Sequence, residues 1–285
     1  KGQDVLVHGW MYHADLLATL AAPRRHIWSI HNGLDGFANE KPLTRLIIRL
    51  LALLSFLPRK IVYVGTRTAF QHERIGYRRD KTAIIPHGFD ISCYQPDAAA
   101  KPRLREELGV PFATKIIGLL GRWDWSKDIP TFFAALAKVP DAHAVLAGNR
   151  MDGNNSELVE LVNRHGVQGR VHLLGYRRDV PALLPGFDLL CMCSKTEAGP
   201  MVVGEAMACG VPCVVTDVGD AARMTEETGW VVEKENPVAL AAALRMALAA
   251  PDLSERGARA RARIEAQFTA EATVSAYQRL YAALK

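Results

Sequence analysis

No Gly-x-Gly-x-x-Gly follows any apolar run in this chain of 285 residues. That disfavours the dinucleotide-binding turn of a dehydrogenase. No Asp-x-Asp occurs either, so the usual paired carboxylates for a catalytic divalent cation are missing. The five cysteines, Cys93, Cys191, Cys193, Cys209 and Cys213, form no Cys-x-x-Cys and have no histidines beside them. A zinc site is therefore not expected, and the cysteines read as small core residues in a reducing compartment. Charge of one sign is not massed: the formal net charge is +5, with Lys and Arg spread along the chain. Nucleic acid is not implied, while anionic small ligands or an anionic surface suit the balance. No apolar run is long enough to span a bilayer, no secretory leader is evident, and no internal repeat appears.

What is present is β–α alternation, twice over. Apolar runs at 4–8, 26–30, 60–64 and 82–85 read as strands, with helices at 13–21, 42–57 and 66–76 between them. The stretch 93–102 reads as a linker, followed by a short helix at 103–108. A second series has strands at 116–120, 142–147, 171–174, 189–193, 213–216 and 230–233. Such alternation predicts parallel sheets with helices on both faces. The expected domains are 1–96, 97–268 and a closing helix over 269–285. The first series is expected to lack its opening βα units, and the chain to be the remainder of a longer protein.

The stretch SKTEAGPMVVGEAMACGVPCVVTDVGD, Ser194 to Asp220, carries most of the chemistry. A strand ends, a tight loop follows, and a short helix leads into the next strand. Pro200 is expected at the first helical position and Gly210 at the stop. The N–H groups of Met201, Val202 and Val203, with Gly199 before them, form an anion cradle. Two carboxylates flank it, Glu197 and Glu205, with seven residues between them. Glu197 ends a strand, and Glu205 leans back toward the helix start. An anion cradle between two hydroxyl acceptors suits a nucleotide sugar; two solvated glutamates is the plain alternative. After the strand at 116–120 comes Gly121-Arg122-Trp123-Asp124-Trp125-Ser126-Lys127-Asp128, where Arg122 offers a fork for phosphate oxygens and Lys127 a mobile charge.

Glu, seven residues, Glu, then EAMACGVPCVVTDVGD resembles the signature of the family 4 retaining glycosyltransferases, which have the GT-B fold. The Gly-Arg, spacer and Lys after a strand resemble that family too. The departures are Ala198 and Gly199 where the family has Gly-Phe, and Asp128 where it has Gly. The resemblance implies an α/β fold of two doubly wound Rossmann-like domains facing across a cleft, the first incomplete here. It implies sugar transfer, with retention, from a nucleoside-diphosphate sugar to a saccharide or lipid-linked saccharide. Arg122 and Lys127 would hold the diphosphate, Glu197 the donor sugar and Glu205 the ribose. His31, in HNG at a strand end, would face the sugar, and Tyr176 or Arg177 would lie near the base. His8 is a weaker candidate, and His87 stands where the family has asparagine. No cofactor and no metal are expected. The apolar helix at 43–57, with Arg45 and Arg49 on it, reads either as a core helix or as an interfacial helix on anionic lipid. The expected location is cytoplasmic, peripheral at the inner face of the membrane. The rivals are a sugar-nucleotide epimerase and a non-catalytic nucleotide-sugar-binding subunit.

Overall fold

The computed structural model describes residues 5–284. The chain divides into two compact units: Lys1–Gly88 with Thr196–Gly199 and Ala270–Lys285, and Phe89–Lys195 with Pro200–Thr269. In chain order the first unit holds β1 (Val7–Trp10), α1 (Tyr12–Ala21), β2 (His26–Ile30), α2 (Pro42–Leu54), β3 (Ile61–Tyr63), α3 (Thr66–Arg74) and β4 (Thr82–Ile84). Its sheet is parallel, in the order β1-β2-β3-β4. Strand β2 is buried at every position, as strands covered on both faces must be. Trp28, Ile30, Ile48, Leu51, Ile61 and Tyr63 form much of its core.

Several boundaries differ from expectation. The first strand is Val7–Trp10 and not 4–8, because Val7 to Trp10 pair with His26 to Ser29; Asp4 lies outside the described residues. His8 is thus inside a strand and does not end it. Helix α2 stops at Leu54 and not at 57. The Ser55 hydroxyl donates to the Ala52 carbonyl at 2.7 Å, and Pro58 follows shortly. Only one side of α2 is core: Ile47, Ile48, Leu51 and Ala52 are buried, while Leu43, Leu46, Leu50 and Leu53 face solvent.

The second unit continues with α4 (Ala100–Leu108), β5 (Lys115–Leu120), α5 (Ile129–Leu136), β6 (Ala142–Ala147), α6 (Ser156–Arg164), β7 (Val171–Gly175), α7 (Val180–Leu183), β8 (Leu189–Met192), α8 (Met201–Ala208), β9 (Cys213–Thr216), α9 (Ala221–Thr225), β10 (Trp230–Val232), α10 (Pro237–Ala249) and α11 (Leu253–Gln267). Helix α12 (Ala270–Ala283) then rejoins the first unit. Helix α4 begins at Ala100, inside the expected linker, because Pro102 sits in the first turn where no helical N–H has a partner. The short helices α7 and α9 left no periodic signal in the sequence.

The second sheet is parallel, in the order β10-β9-β8-β5-β6-β7. Numbered from β5, that is the doubly wound order whose direction of winding reverses between its first and fourth strands. Side chains of α5, α6 and α10 fill one face. Those of α4, α8 and α11 fill the other. Gly118 in β5 lets the ring of Phe187 lie on the strand; a methyl group there would be 2.1 Å from the ring.

The start of β5 is locked by a buried ion pair. Arg105 and Asp188 are 4% and 6% exposed, and Arg105 Nη2 is 2.6 Å from Asp188 Oδ2. Asp188 also accepts the N–H of Ile116, and Arg105 donates to the carbonyls of Lys101, Phe112, Thr114 and Gly186. Every polar atom of the fork thereby has a partner, which is the condition for a buried charge to be tolerated. Arg105→Met should lower unfolding stability by about 3–5 kcal/mol, since it takes from the buried Asp188 its only buried cation and leaves the half-exposed Lys101, Nζ at 3.0 Å, as its one charged partner. Urea denaturation checks this; an unchanged midpoint would show the pair to be dispensable.

Candidate functional site

In open α/β sheets, ligands bind outside the carboxyl ends of the strands where the winding reverses. In the second unit that place is the pair β5 and β8, which are adjacent although β6 and β7 intervene in sequence. The loop leaving β5 carries Arg122 and Lys127. The loop leaving β8 leads to α8. The two loops are tied together: the Lys195 N–H donates to the Ser126 carbonyl at 2.7 Å, and the Cys193 thiol to the Lys127 carbonyl at 3.2 Å. Lys195 Nζ lies 3.6 Å from the buried Asp128 and 3.0 Å from Glu235. Nothing in the sequence pattern singled out Lys195, and Asp128 stood out only as a departure from the family's Gly, because their roles depend on which strands become neighbours.

The β5 loop is shaped by glycine. Lys127 folds back along Gly121, whose absent side chain leaves room for the Lys127 stem. Gly148, after β6, approaches so closely that a Cβ would lie 1.9 Å from the Gly121 carbonyl oxygen. Its φ of +146° also suits glycine alone. Trp123 then donates its N–H to the Asn149 carbonyl at 2.9 Å. Arg122 projects outward, 69% exposed at its side chain, with Nε 3.7 Å from Asp124.

Helix α8 differs from expectation at its start. Pro200 is the capping residue, in extended backbone at φ −71° and ψ 105°, and not the first helical residue. The Val203 N–H donates to the Pro200 carbonyl at 3.2 Å, so Val203 is not part of an open cradle. Met201 and Val202 keep N–H groups with no backbone partner among the described residues. Glu205, one turn on, shares the face of Met201. Burial raises the pKa of its carboxyl, and the nearby Tyr94 hydroxyl acts in the opposite sense. Tyr94 carries no signal in the amino-acid order, since it sits in a segment without periodicity. Gly210, at φ +73°, ends the helix as expected.

After β7, Tyr176 and Arg177 part company. The Arg177 guanidinium is held by Asp179, through Nε at 2.7 Å and Nη2 at 2.6 Å, and by Glu107. These carboxylates raise its pKa further. Tyr176 is 70% exposed and is the one of the two with an open face.

The other expected residues lie in the first unit. There His31 follows β2, with Nε2 3.0 Å from the Ser29 hydroxyl and its ring stacked on Trp10 at 4.9 Å. The rings of His31 and His87 are 5.1 Å apart. Burial, then the neighbouring His87 and His8, lowers the pKa of His31 to about 4, so it is neutral at neutral pH. Segment Thr196–Gly199 packs on these loops. A Cβ on Gly33 would lie 2.5 Å from the Glu197 carbonyl oxygen, and one on Gly199 would lie 3.0 Å from the His87 ring. Glu197 and His31 are thus brought together in one unit, and Arg122, Lys127, Met201, Val202 and Glu205 in the other. His8 pairs with the Tyr281 hydroxyl of α12 at 2.8 Å, which gives it a structural role.

Residues 114–250 match the family described as glycosyl transferases group 1. The chain is 29% identical over 219 residues to the N-acetyl-alpha-D-glucosaminyl L-malate synthase of Bacillus anthracis, covering 74% of this chain and 51% of that protein. It is 30% identical over 213 residues to a lipopolysaccharide core biosynthesis mannosyltransferase of Rhizobium meliloti, covering 70% of this chain and 60% of that one. The chain therefore spans between half and three-fifths of the length of these curated relatives. Among solved structures, the Anabaena protein HepE in complex with UDP-glucose superposes with a TM-score of 0.84 at 23% identity, over 97% of this chain and 78% of that one. The reversing parallel sheet, the strand-end cations and the match over 114–250 agree: residues 114–250 form a group 1 glycosyltransferase domain, in a chain with the fold of the GT-B enzymes.

Proposed function

We propose that the protein transfers a sugar, with retention of configuration, from a nucleoside-diphosphate sugar to a saccharide or lipid-linked saccharide. The observation that carries this reading is the meeting of two loops at the β5–β8 reversal. One brings Arg122 and Lys127; the other brings the N–H groups of Met201 and Val202. Breaking the glycosidic bond leaves negative charge on the departing diphosphate. Fixed donors aimed at that charge are the largest catalytic term such a site supplies. Glu197 accepts hydroxyls of the donor sugar, Glu205 those of the ribose, and neutral His31 offers a hydrogen bond near the reacting centre. Gly199 and Pro200 shape the turn into α8, and Tyr176 covers the base, with Arg177 fixing the loop beside it. The cations and helix N–H groups take the part a divalent metal plays elsewhere, so no metal is required.

A lipid-linked acceptor draws support from the surface of α1 and α2. Leu17, Leu20, Leu43, Leu46, Leu53 and Phe56 are exposed there. From Lys41 to His72 the sequence has no Asp or Glu, while Lys41, Arg45, Arg49, Arg59, Lys60 and Arg67 are basic. An apolar face with basic neighbours suits anionic headgroups. The Rhizobium meliloti relative, named for lipopolysaccharide core synthesis, is in keeping with such an acceptor. Among the described residues no single helix is long and apolar enough to cross a membrane, so attachment would be peripheral.

Three outcomes follow. Arg122→Ala and Lys127→Ala should each weaken binding of UDP or GDP by about 1–3 kcal/mol, the scale of hydrogen bonds to charged groups. Binding by the unaltered chain should persist in excess EDTA. Calorimetry reads both; unchanged affinity in the two variants removes the diphosphate assignment, and EDTA-sensitive binding restored by Mg²⁺ removes the metal-independent one. Next, Glu197→Gln should depress sugar transfer far more than nucleoside-diphosphate affinity, whereas Glu205→Gln should weaken the free nucleotide as well. Equal effects on that affinity would mean the two carboxylates are assigned wrongly, and proton NMR of the product would expose inversion. Finally, the chain should sediment with phosphatidylglycerol vesicles and not with phosphatidylcholine vesicles, and Leu46→Glu with Leu53→Glu should release it. Failure to bind either vesicle would leave the α1–α2 face without a membrane role.

A further inference from the structure

Ser29 stands in β2 between Trp28 and Ile30 and is 0% exposed. Its backbone is fully engaged. The N–H donates to the Asp15 carboxyl at 3.3 Å, and the carbonyl accepts the N–H of Met11 at 2.8 Å. A hydroxyl buried this deeply has to find its hydrogen bonds inside the protein. Ser29 Oγ has two partners: His31 Nε2 at 3.0 Å and the Tyr277 hydroxyl at 3.3 Å. Tyr277 comes from α12, and its ring also lies beside Trp10, centroids 5.7 Å apart. One turn along α12, Tyr281 bonds to His8, so the helix presents two phenols to β1 and β2. His31 is held on its other sides as well. Its ring stacks on Trp10, and its N–H donates to the Met11 sulfur at 3.3 Å. All of these residues belong to the first unit.

We propose that Ser29, backed by Tyr277, is the positioning residue for His31, and that it fixes the ring as the Nδ1–H tautomer with Nδ1 as the donor to ligand. A neutral imidazole carries one proton, and the hydrogen bond made at one nitrogen decides which nitrogen holds it. A serine hydroxyl has one proton to give. A phenol is the more acidic hydroxyl and so the better donor of the two. Tyr277 therefore donates to Ser29, and Ser29 donates to His31 Nε2. Nε2 is then an acceptor, and the ring proton sits on Nδ1. In the reverse order the Tyr277 proton would find no partner among the described residues.

Among the described residues Nδ1 of His31 has no hydrogen-bond partner, so its N–H is available to a ligand. A donor fixed there matches an oxygen lone pair of the transferred sugar. The other tautomer would point a lone pair the same way. Ser29 is buried and touches no substrate; it acts through His31 alone. The inference deepens the reading above, in which neutral His31 offers a hydrogen bond near the reacting centre. Its value to sugar binding rests on that reading, whereas the tautomer is a property of the first unit.

The experiment is nitrogen NMR of the 285-residue chain labelled at histidine, at neutral pH. Couplings to the ring carbon-bound protons tell a protonated ring nitrogen from a bare one, and the His31→Gln spectrum assigns the signals. In the unaltered chain His31 should show a protonated Nδ1 and a bare Nε2. Ser29→Ala should shift the ring toward Nε2–H, and Tyr277→Phe should move it part of the way. A protonated Nε2 in the unaltered chain, or a His31 pattern that both variants leave unchanged, overturns the inference. If Ser29→Ala does not fold, the unaltered chain and Tyr277→Phe decide in the same way. Calorimetry supplies the second arm, with UDP-glucose against UDP and GDP-mannose against GDP. For whichever pair binds, Ser29→Ala should weaken the sugar nucleotide roughly 3- to 10-fold, the size of one hydrogen bond, and leave the free nucleotide unchanged. Adding Ser29→Ala to His31→Gln should change affinity less than twofold, because the two act through one contact. Equal weakening of sugar nucleotide and free nucleotide, or equal losses in both backgrounds, counts against a positioning role. If neither pair binds, the donor-site reading falls, and the tautomer seen by NMR still decides whether Ser29 sets His31.

Discussion

The reversal of strand order between β5 and β8 is the constraint on which the second unit depends. Helices that connect strands on one side of the reversal lie on one face of the sheet, and those on the other side lie on the opposite face. The loops at the carboxyl ends of β5 and β8 consequently diverge, and a crevice opens between them. The loops that carry Arg122 and Met201, far apart in sequence, leave one edge of the sheet because their strands are neighbours there. Every interaction assigned to the diphosphate is a consequence of that adjacency.

A crevice of this kind needs rigid walls, and the structure supplies them locally. The Lys195 N–H to Ser126 bond and the contact of Cys193 with the Lys127 carbonyl bind the two loops to each other. Gly121 and Gly148 let adjacent loops touch backbone to backbone. The buried Arg105–Asp188 pair secures the opposite end of β5. Preorganised donors act on developing charge without reorganising at the moment of reaction, which is why such walls matter to chemistry. In the first unit the same logic holds more loosely. His31, kept neutral by burial, and segment Thr196–Gly199 are packed through Gly33 and His87.

Much of this was legible in the amino-acid order, for identifiable reasons. The strands of the second sheet are short apolar runs bounded by Gly and Pro, and their β–α alternation announces a parallel sheet. The stretch from Glu197 to Asp220 carries a helix and its stop at Gly210 in plain sequence, but Glu197, expected at a strand end, lies in the loop beyond β8, which stops at Met192. Other features were not legible. Whether Pro200 caps α8 or begins it depends on a backbone angle, and the engagement of Val203 follows from that angle. Tyr94 lies in a segment without period, and Arg261, whose Nη1 donates to its carbonyl, is far along the chain. Arg105 looks like any surface arginine of a polar helix until Asp188 folds beside it. The edge strand shifted from 4–8 to Val7–Trp10 because pairing with β2, and not local apolarity, sets its register.

The most direct test of the account is a crystal structure of this chain grown with UDP. The account predicts the diphosphate within hydrogen-bond distance of the Met201 and Val202 N–H groups, with Arg122 and Lys127 turned onto its oxygens. A diphosphate bound at any other edge of the second sheet, or away from the β5 and α8 loops altogether, would contradict it.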